Sequence, residues 1–157
     1  MTDTNDRANA GDVPEPRLEH KCILVICAHS DDEILGPGGA LAKFSQEGAK
    51  ILTFIMSYGE LTPIWMKHKH TREMRKKEAD KADAIIGGSG VEFFGLKEGA
   101  FLKEAEEHGI HKKLLDTIHK EKPSIIFTHM REDPHKDHRD TLQIVKSVVA
   151  DVKDDRP

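Results

Sequence analysis

The sequence lacks the features that mark membrane-spanning or secreted proteins. None of its apolar runs reaches the about 18 residues that suggest a membrane-spanning helix, and residues 1–19 contain no apolar stretch of a secretory signal. There are only two cysteines, Cys22 and Cys27, five positions apart in one apolar segment. Because side chains alternate along a strand, the two thiols point to opposite faces. We therefore predict no membrane span, no disulfide between them and a cytoplasmic location.

The sequence also lacks the excess of positive charge that is typical of nucleic-acid-binding proteins. It has 24 Lys and Arg against 28 Asp and Glu, which gives a formal net charge of −4. The basic residues at 67–77 and 111–122 are interleaved with acidic residues and histidines, which favours a solvated helix face over a polyanion site. Neither GxGxxG nor GxxxxGK[ST] occurs, so no phosphate-binding loop is indicated. We expect no nucleic-acid partner.

What is present is an alternation of short apolar runs and helical patterns. Residues 1–20 are polar and without periodicity, which predicts a flexible tail. Residues 21–157 have the length of a single domain. Strands are predicted at 22–28, 50–56, 91–96 and 124–130, and helices at 38–48, 71–86, 109–121 and 138–152. Thr71 is the predicted N-cap of the second helix. The alternation predicts an α/β fold, a mostly parallel sheet covered by helices on both sides.

Histidines and carboxylates follow the first and the fourth predicted strands. His29, Asp31 and Asp32 follow the first, and the loop after the fourth holds His129, Asp133, His135, Asp137 and His138. In open α/β sheets the site lies outside the carboxyl ends of the strands, where strand order reverses. Two histidines, one carboxylate and a water match a catalytic zinc site. The second carboxylate of the first loop would then be free to take a proton from the bound water.

Other residues near these loops leave two interpretations open. The glycines at 36, 38 and 39 favour a tight strand-to-helix turn over a phosphate cradle. Tyr58 and Trp65, in the loop after the second strand, could line a sugar pocket or plug the edge of the core.

At these residues the sequence resembles the LmbE / PIG-L family of zinc-dependent N-acetylglucosaminyl deacetylases. The motif AHSDDEILGPGG (28–39) is similar to the family's AHPDDE motif and its Gly-rich turn, and HKDH (135–138) is similar to HPDH. SYGE (57–60) and the helix with Arg75 and Glu78 add to the match. The resemblance runs from about residue 22 to 150 and implies a Rossmann-like three-layer sandwich.

Carried over residue by residue, the resemblance implies a metal centre and a base. His29, Asp32 and His138 would be the ligands of Zn²⁺, with Fe²⁺ or another divalent metal as an alternative. Asp31 would be the general base that acts on the metal-bound water.

The resemblance also implies roles for four further residues. His135, paired with Asp137, would stabilise the tetrahedral intermediate as a cation. Glu60 and Arg75 are candidates for sugar contact, although Arg75 could equally pair with its helix neighbour Glu78.

Two departures from the family pattern bear on the expected site. Ser30 and Lys136 stand where the family usually has proline, which loosens the backbone beside predicted ligands. Family members are also longer and continue past the last helix with elements that help to close the pocket. The sequence therefore leaves open whether the fold is truncated at its C-terminus and whether the site is active.

The expected function is hydrolysis of an N-acetyl group on a small-molecule amino-sugar conjugate of the N-acetylglucosamine type. One alternative is a catalytically impaired metal-binding module of the same fold. Another is a non-haem Fe²⁺ oxygenase, because two histidines and a carboxylate also form that facial triad. A homo-oligomer is left open by the sequence.

Overall fold

The computed structural model describes residues 22–59 and 68–154. The predicted tail at 1–20 lies outside this part of the chain, as do Glu60 and Trp65. No helix in the described part is both long enough and apolar enough to cross a membrane.

Four parallel strands form one sheet in the order β3-β2-β1-β4. They are β1 (Cys22–Cys27), β2 (Lys50–Ile55), β3 (Val91–Phe93) and β4 (Ile125–Phe127). The register pairs Ile23 of β1 with Ile51 of β2 and with Ile125 of β4. The predicted α/β fold with a parallel sheet is confirmed, although β3 and β4 are shorter than predicted.

Helices cover both faces of the sheet. They are α1 (Asp32–Leu35), α2 (Gly38–Gln46), α3 (His68–Ile86), α4 (Phe101–Glu107), α5 (Ile110–Glu121) and α6 (Lys136–Asp154). On one face Leu24 and Ile26 of β1 form a core cluster with side chains of α4, α5 and α6. On the other face Ile23 and Val25 pack against Leu41 of α2. Every residue of β1 is buried, as expected for a central strand whose two faces are both apolar.

Local sequence explains α5 best. Ile110, Leu114 and Ile118 recur every four residues and are all buried, so this helix has one apolar face toward the core. It ends at Glu121, and Lys122 adopts a left-handed conformation directly before Pro123.

Three features of the helices differ from the prediction. The helix α3 begins at His68, so Thr71 lies inside it, where it is fully buried and cannot be the N-cap. The short helices α1 and α4 were not predicted. Both have fewer than eight residues, too few for a periodic pattern to stand out.

Both cysteines are free and buried, as predicted. Burial raises the pKa of Cys27 well above its ordinary value, and its thiol makes weak contacts to the carbonyl oxygens of His29 and Phe54. A buried thiol with a raised pKa is a poor nucleophile.

Candidate metal centre

The predicted site residues gather between the carboxyl ends of β1 and β4. The chain runs from β1 outward through β2 to β3, whereas β4 lies on the other side of β1. Strand order therefore reverses between β1 and β4, the position at which ligands bind in open α/β sheets. The loop after β1 carries His29 and leads into α1, and the loop after β4 leads into α6.

The carboxylate of Asp32 lies at the centre of a group of imidazoles. Its Oδ2 atom is 3.7 Å from Nδ1 of His29, 3.4 Å from Nε2 of His138 and 3.6 Å from Nε2 of His129. The same oxygen accepts a hydrogen bond from the backbone N–H of His29 at 2.9 Å. Ligand atoms at about 2.0–2.2 Å from a tetrahedral zinc ion lie roughly 3.3–3.6 Å from one another. The three distances from Asp32 to the imidazole nitrogens are close to this spacing.

The protonation of the rings also suits a metal. Nδ1–H of His138 donates to Asp133 Oδ2 at 2.9 Å, which leaves the lone pair of Nε2 on the side of Asp32. Nε2 of His29 lies 3.2 Å from Asp137 Oδ2 and donates to it, which leaves Nδ1 of His29 on the side of Asp32. A histidine that binds a metal through one nitrogen usually donates its other N–H to a carboxylate. The residues present therefore fit a divalent cation.

Within the described residues, three groups of side chains have ligand atoms close enough together to hold a cation. Each group brings three ligand atoms within 4.8 Å of one another: His29, His135 and His138; Asp32, His129 and His138; His29, Glu98 and Asp137. The predicted ligand set His29, Asp32 and His138 is not itself one of these groups. Its members are divided between two of them, although Asp32 Oδ2 lies 3.7 Å from His29 Nδ1 and 3.4 Å from His138 Nε2.

His129 is a site residue to which the sequence interpretation assigned no role. Its Nε2 accepts a hydrogen bond from the backbone N–H of Ala28 at 2.9 Å, and its ring stacks on His138 with 4.0 Å between centroids. Burial, and next the neighbouring His138, lower the pKa of His129 to about 4, so the ring is neutral with its proton on Nδ1. Its position directly after β4, like that of His29 after β1, is the signal that could have identified it.

Asp133 is a second residue whose role emerged only from the structure. The hydrogen bond from His138 is the largest cause that lowers the pKa of Asp133 below its ordinary value. The other oxygen of Asp133 accepts the backbone N–H of His135 at 2.8 Å. One carboxylate therefore orients His138 and shapes the turn that carries His135.

Asp137 pairs with a different histidine from the one expected. The prediction paired Asp137 with His135. Instead, the buried carboxylate of Asp137 contacts Nε2 of His29 and also accepts a hydrogen bond from the backbone N–H of Gly99 at 2.8 Å. Only the backbone N–H of Asp137 contacts His135, donating to Nδ1 at 3.2 Å. In the HKDH turn, the carboxylate of Asp137 is buried against the loop after β1, whereas His135 is exposed to solvent.

Asp31 occupies the rim of the site. Its pKa is raised because the carboxyl is partly desolvated and stands beside the charge of Asp32. Arg75 Nη1 lies 4.0 Å from Asp31 Oδ2 and 3.7 Å from Glu78 Oε2, so Arg75 faces both the site and its own helix. The buried hydroxyl of Ser30, which stands in place of the family's proline, donates to the carbonyl oxygen of Arg75 at 3.4 Å.

The structure gives contacts for two further residues near these loops, Tyr58 and Gly38. Tyr58 stacks on Phe93 at 4.5 Å between centroids, and the guanidinium carbon of Arg72 lies 5.6 Å from the centroid of the same ring. These contacts place Tyr58 beside β3, the edge strand of the sheet, and Trp65 lies outside the described residues. Gly38 begins α2 after a link of only two residues from α1, and a Cβ there would meet Ile34 at 3.4 Å, an ordinary van der Waals distance.

A cavity of about 300 Å³ lies beside the centre. Asp32 and His129 form one side of it, and the remaining lining is mostly apolar, from β1, β4 and the junction of α1 and α2. Space for a small molecule is therefore available next to the candidate ligands.

Known proteins are similar to this chain over most of its length. The sequence model of the PIG-L family, described as GlcNAc-PI de-N-acetylase, matches residues 24–149. The 4-oxalmesaconate hydratase of Pseudomonas putida is 31% identical over 126 residues, which are 75% of this chain and 47% of the relative. The diacetylchitobiose deacetylase of Thermococcus kodakarensis is 28% identical over 137 residues, 81% of this chain and 48% of the relative.

Solved structures show the same fold. The crystal structure of GalB, the 4-carboxy-2-hydroxymuconate hydratase from Pseudomonas putida, superposes with a TM-score of 0.73 at 26% identity. The match covers 82% of this chain and 55% of that structure. The chain thus spans about half the length of the curated relatives it matches.

Proposed function

Because the chain belongs to the PIG-L family, we propose that it is a metal-dependent hydrolase that removes the N-acetyl group from an N-acetylglucosamine-type amino-sugar conjugate. The observation that carries this proposal is the Asp32 carboxylate placed 3.4–3.7 Å from three imidazole nitrogens, beside a second carboxylate, Asp31. The similarity to a diacetylchitobiose deacetylase supports an N-acetyl amide as the bond that is cleaved and an amino sugar as the substrate. The products would be acetate and the free amine.

We assign the metal to His29, Asp32 and His138, with Zn²⁺ as the first choice and Fe²⁺ or another divalent ion as an alternative. When bound there, the ion would polarise the amide carbonyl and lower the pKa of a bound water to about 7. Asp133 and Asp137 hold the two histidines in the tautomers that leave a lone pair for the ion.

Asp31 is the general base in this proposal. Its raised pKa suits a carboxylate that takes a proton from water as the water attacks the carbonyl carbon. The same carboxyl can then return the proton to the nitrogen when the carbon–nitrogen bond breaks. Arg75, 4.0 Å away, acts in the opposite sense and lowers the pKa of Asp31.

His135 is assigned to the carbonyl oxygen. Its Nδ1 accepts the N–H of Asp137, so its N–H is on Nε2, free to donate where negative charge develops. Its ring lies 4.9 Å from that of His29, at the exposed side of the centre where a substrate would arrive. Arg75 remains a candidate for sugar contact, and Glu60, outside the described residues, keeps the same assignment as a prediction.

The test is a metal analysis of the purified protein combined with an amine-release assay on N-acetylglucosamine derivatives. Asp31→Asn is expected to retain metal and lose most of its turnover, and His138→Ala to lose both. His108→Ala, at an exposed residue at the end of α4, is the matched histidine control and is expected to behave as wild type. Equal turnover of Asp31→Asn and wild type would rule out the assigned base. Metal binding without turnover on any acetylated sugar would instead favour the metal-binding module.

A hydratase is the second candidate, because the hydratase of Pseudomonas putida is 31% identical over most of this chain. The same centre could add water to a carbon–carbon double bond: Asp31 would take the proton from water as the hydroxyl adds to one carbon, and would return that proton to the neighbouring carbon. The assay is the loss of ultraviolet absorbance of a conjugated unsaturated carboxylate. Loss of absorbance without amine release on the sugar panel would favour this candidate over the deacetylase.

The proposed compartment is the cytoplasm, a choice that the two buried free thiols support. A homo-oligomer remains a prediction, which light scattering of the purified protein would test.

A further inference from the structure

The backbone of Asp31 is held in a conformation that residues with a side chain rarely adopt. Its φ is 129° and its ψ is −29°, and Asp31 and Lys122 are the two non-glycine residues with positive φ in the described part of the chain. Such a conformation persists only where the surrounding structure compensates its strain, and it is common at active sites. Asp31 is the residue to which the proposed function assigns the proton transfer.

Both backbone polar groups of Asp31 are tied to α1. The carboxylate Oε2 of Glu33 accepts the N–H of Asp31 at 2.8 Å. The carbonyl oxygen of Asp31 accepts the N–H groups of Ile34 at 3.0 Å and Leu35 at 2.9 Å. Both backbone groups of Asp31 therefore bond to residues that follow within the same turn. Glu33 is the residue that does so through its side chain.

The burial of Glu33 is unusual for its chemistry. The residue is 3% exposed, and buried glutamates are normally paired with a cation. In the part of the chain that the structure describes, no lysine, arginine or histidine forms an ion pair with it. The carboxylate accepts hydrogen bonds from the backbone N–H of Asp31 and from its own backbone N–H. A buried carboxylate that binds the backbone of this turn is better explained by the geometry of Asp31 than by general stability.

We propose that Glu33 is a positioning residue, whose buried carboxylate holds Asp31 in its strained conformation beside Asp32. This inference rests on the proposed role of Asp31 as the base. Without the acceptor at residue 33, the Asp31 peptide can relax to an ordinary conformation, which turns the Asp31 carboxylate away from the metal ligands. A displacement of about 1 Å at a reacting group can cost roughly 100-fold in rate.

The test compares Glu33→Met, which keeps the length and removes the acceptor, with Glu33→Gln, whose amide oxygen can still accept. With the metal-loaded protein, we expect kcat of the Met variant to fall roughly 10- to 100-fold while KM and the metal content stay near wild type. The Gln variant should stay within about 5-fold of wild type. Glu47→Met, at the exposed end of α2, is the control for the same change elsewhere.

A double variant separates positioning from a merely structural role. If Glu33 acts through Asp31, then Glu33→Met combined with Asp31→Asn should be no slower than Asp31→Asn alone. Multiplied losses in the double variant would overturn the inference, as would an unchanged kcat in Glu33→Met.

A third measurement needs no substrate and so separates this inference from the proposed function. Hydrogen exchange of the Asp31 amide, followed by NMR, should be at least 10-fold faster in Glu33→Met than in wild type. Equal exchange rates would overturn the positioning role even in an active enzyme. If wild type hydrolysed no amide but the variant exchanged faster, the proposed function would be overturned. The hydrogen bond by which Glu33 holds the backbone of Asp31 would still be supported.

Discussion

Asp137 Oδ2 lies 3.2 Å from His29 Nε2, a contact that joins residues 108 positions apart in the sequence. It connects the first turn of α6 to the loop after β1, and it fixes which nitrogen of His29 is free for a metal. The carboxylate is 3% exposed at its side chain, so water competes little for this bond.

Asp137→Asn is expected to weaken metal binding by about 10- to 100-fold, because an amide can donate to Nε2 and so favour the wrong tautomer of His29. Metal affinity would be measured by competition with a chromophoric chelator. Asp140→Asn, one turn along α6 where the carboxylate pairs with Lys136, is the control and should bind metal as wild type does. Equal affinity of the two variants would refute the tautomer role of Asp137.

The metal-free protein is expected to lose stability as the pH falls from about 6.5 to 4. His129 has a pKa of about 4 when folded and near 6.5 when unfolded, so in this range the unfolded chain binds a proton that the native state does not. One such proton changes the free energy of unfolding by at most about 1.4 kcal/mol per pH unit. Asp133, whose folded pKa is lowered, contributes stability that is lost only below its ordinary value of 3.8.

This pH dependence can be checked by urea unfolding of chelator-treated protein at several pH values. The His129→Asn variant lacks the titrating ring and should show a shallower decline than wild type over the same range. Parallel curves for the two proteins would contradict a neutral, buried His129.

Asp31→Gly is expected to stabilise the protein while it abolishes turnover. Glycine adopts a φ of 129° freely, which relieves strain of about 1–3 kcal/mol at a cost in chain entropy of about 0.5–1 kcal/mol. The net gain of roughly 1 kcal/mol would appear as a higher urea midpoint. Asp31→Ala removes the same carboxylate and keeps the strain, so a gain of equal size in this variant would show that charge, and not backbone strain, was relieved.

Leu114→Ala is expected to lower the free energy of unfolding by about 2–5 kcal/mol. The side chain of Leu114 is fully buried between α5 and the sheet, so its removal leaves a cavity. Ile85→Ala, at a residue that is 85% exposed, should change stability by no more than about 0.5 kcal/mol. Chemical denaturation of both variants would measure the difference, and a small effect at Leu114 would mean that this layer repacks.

The predicted fold was confirmed where the pattern along the chain is set by burial. The residues 22–28 are apolar throughout because β1 is covered on both faces, and the four-residue spacing of Ile110, Leu114 and Ile118 matches one face of α5. The helix α4 carried no such signal. It has two buried residues, Phe101 and Ala105, and packs on α6, so its helical state depends on contacts that the local sequence does not show.

The sequence predicted which two loops form the site, but not which side chains within those loops contact each other. The order of residues places His29 after β1 and His135 to His138 after β4, and parallel pairing of the two strands brings the loops together. Which carboxylate meets which histidine was beyond the sequence, because Asp133 and Asp137 both lie within a few residues of two histidines. The position of α6 relative to β1 directs Asp137 to His29 and leaves Asp133 for His138.

By itself the amino-acid sequence determined the α/β layering and the loops that carry the chemistry, since both follow from hydrophobic periodicity and chain order. Only the tertiary structure decided the pairing of each imidazole with its carboxylate, the neutral state of His129 and the hydrogen bond between the Glu33 carboxylate and the backbone of Asp31. Those properties depend on distances of 2.8–3.7 Å between side chains and backbone groups that packing alone brings together.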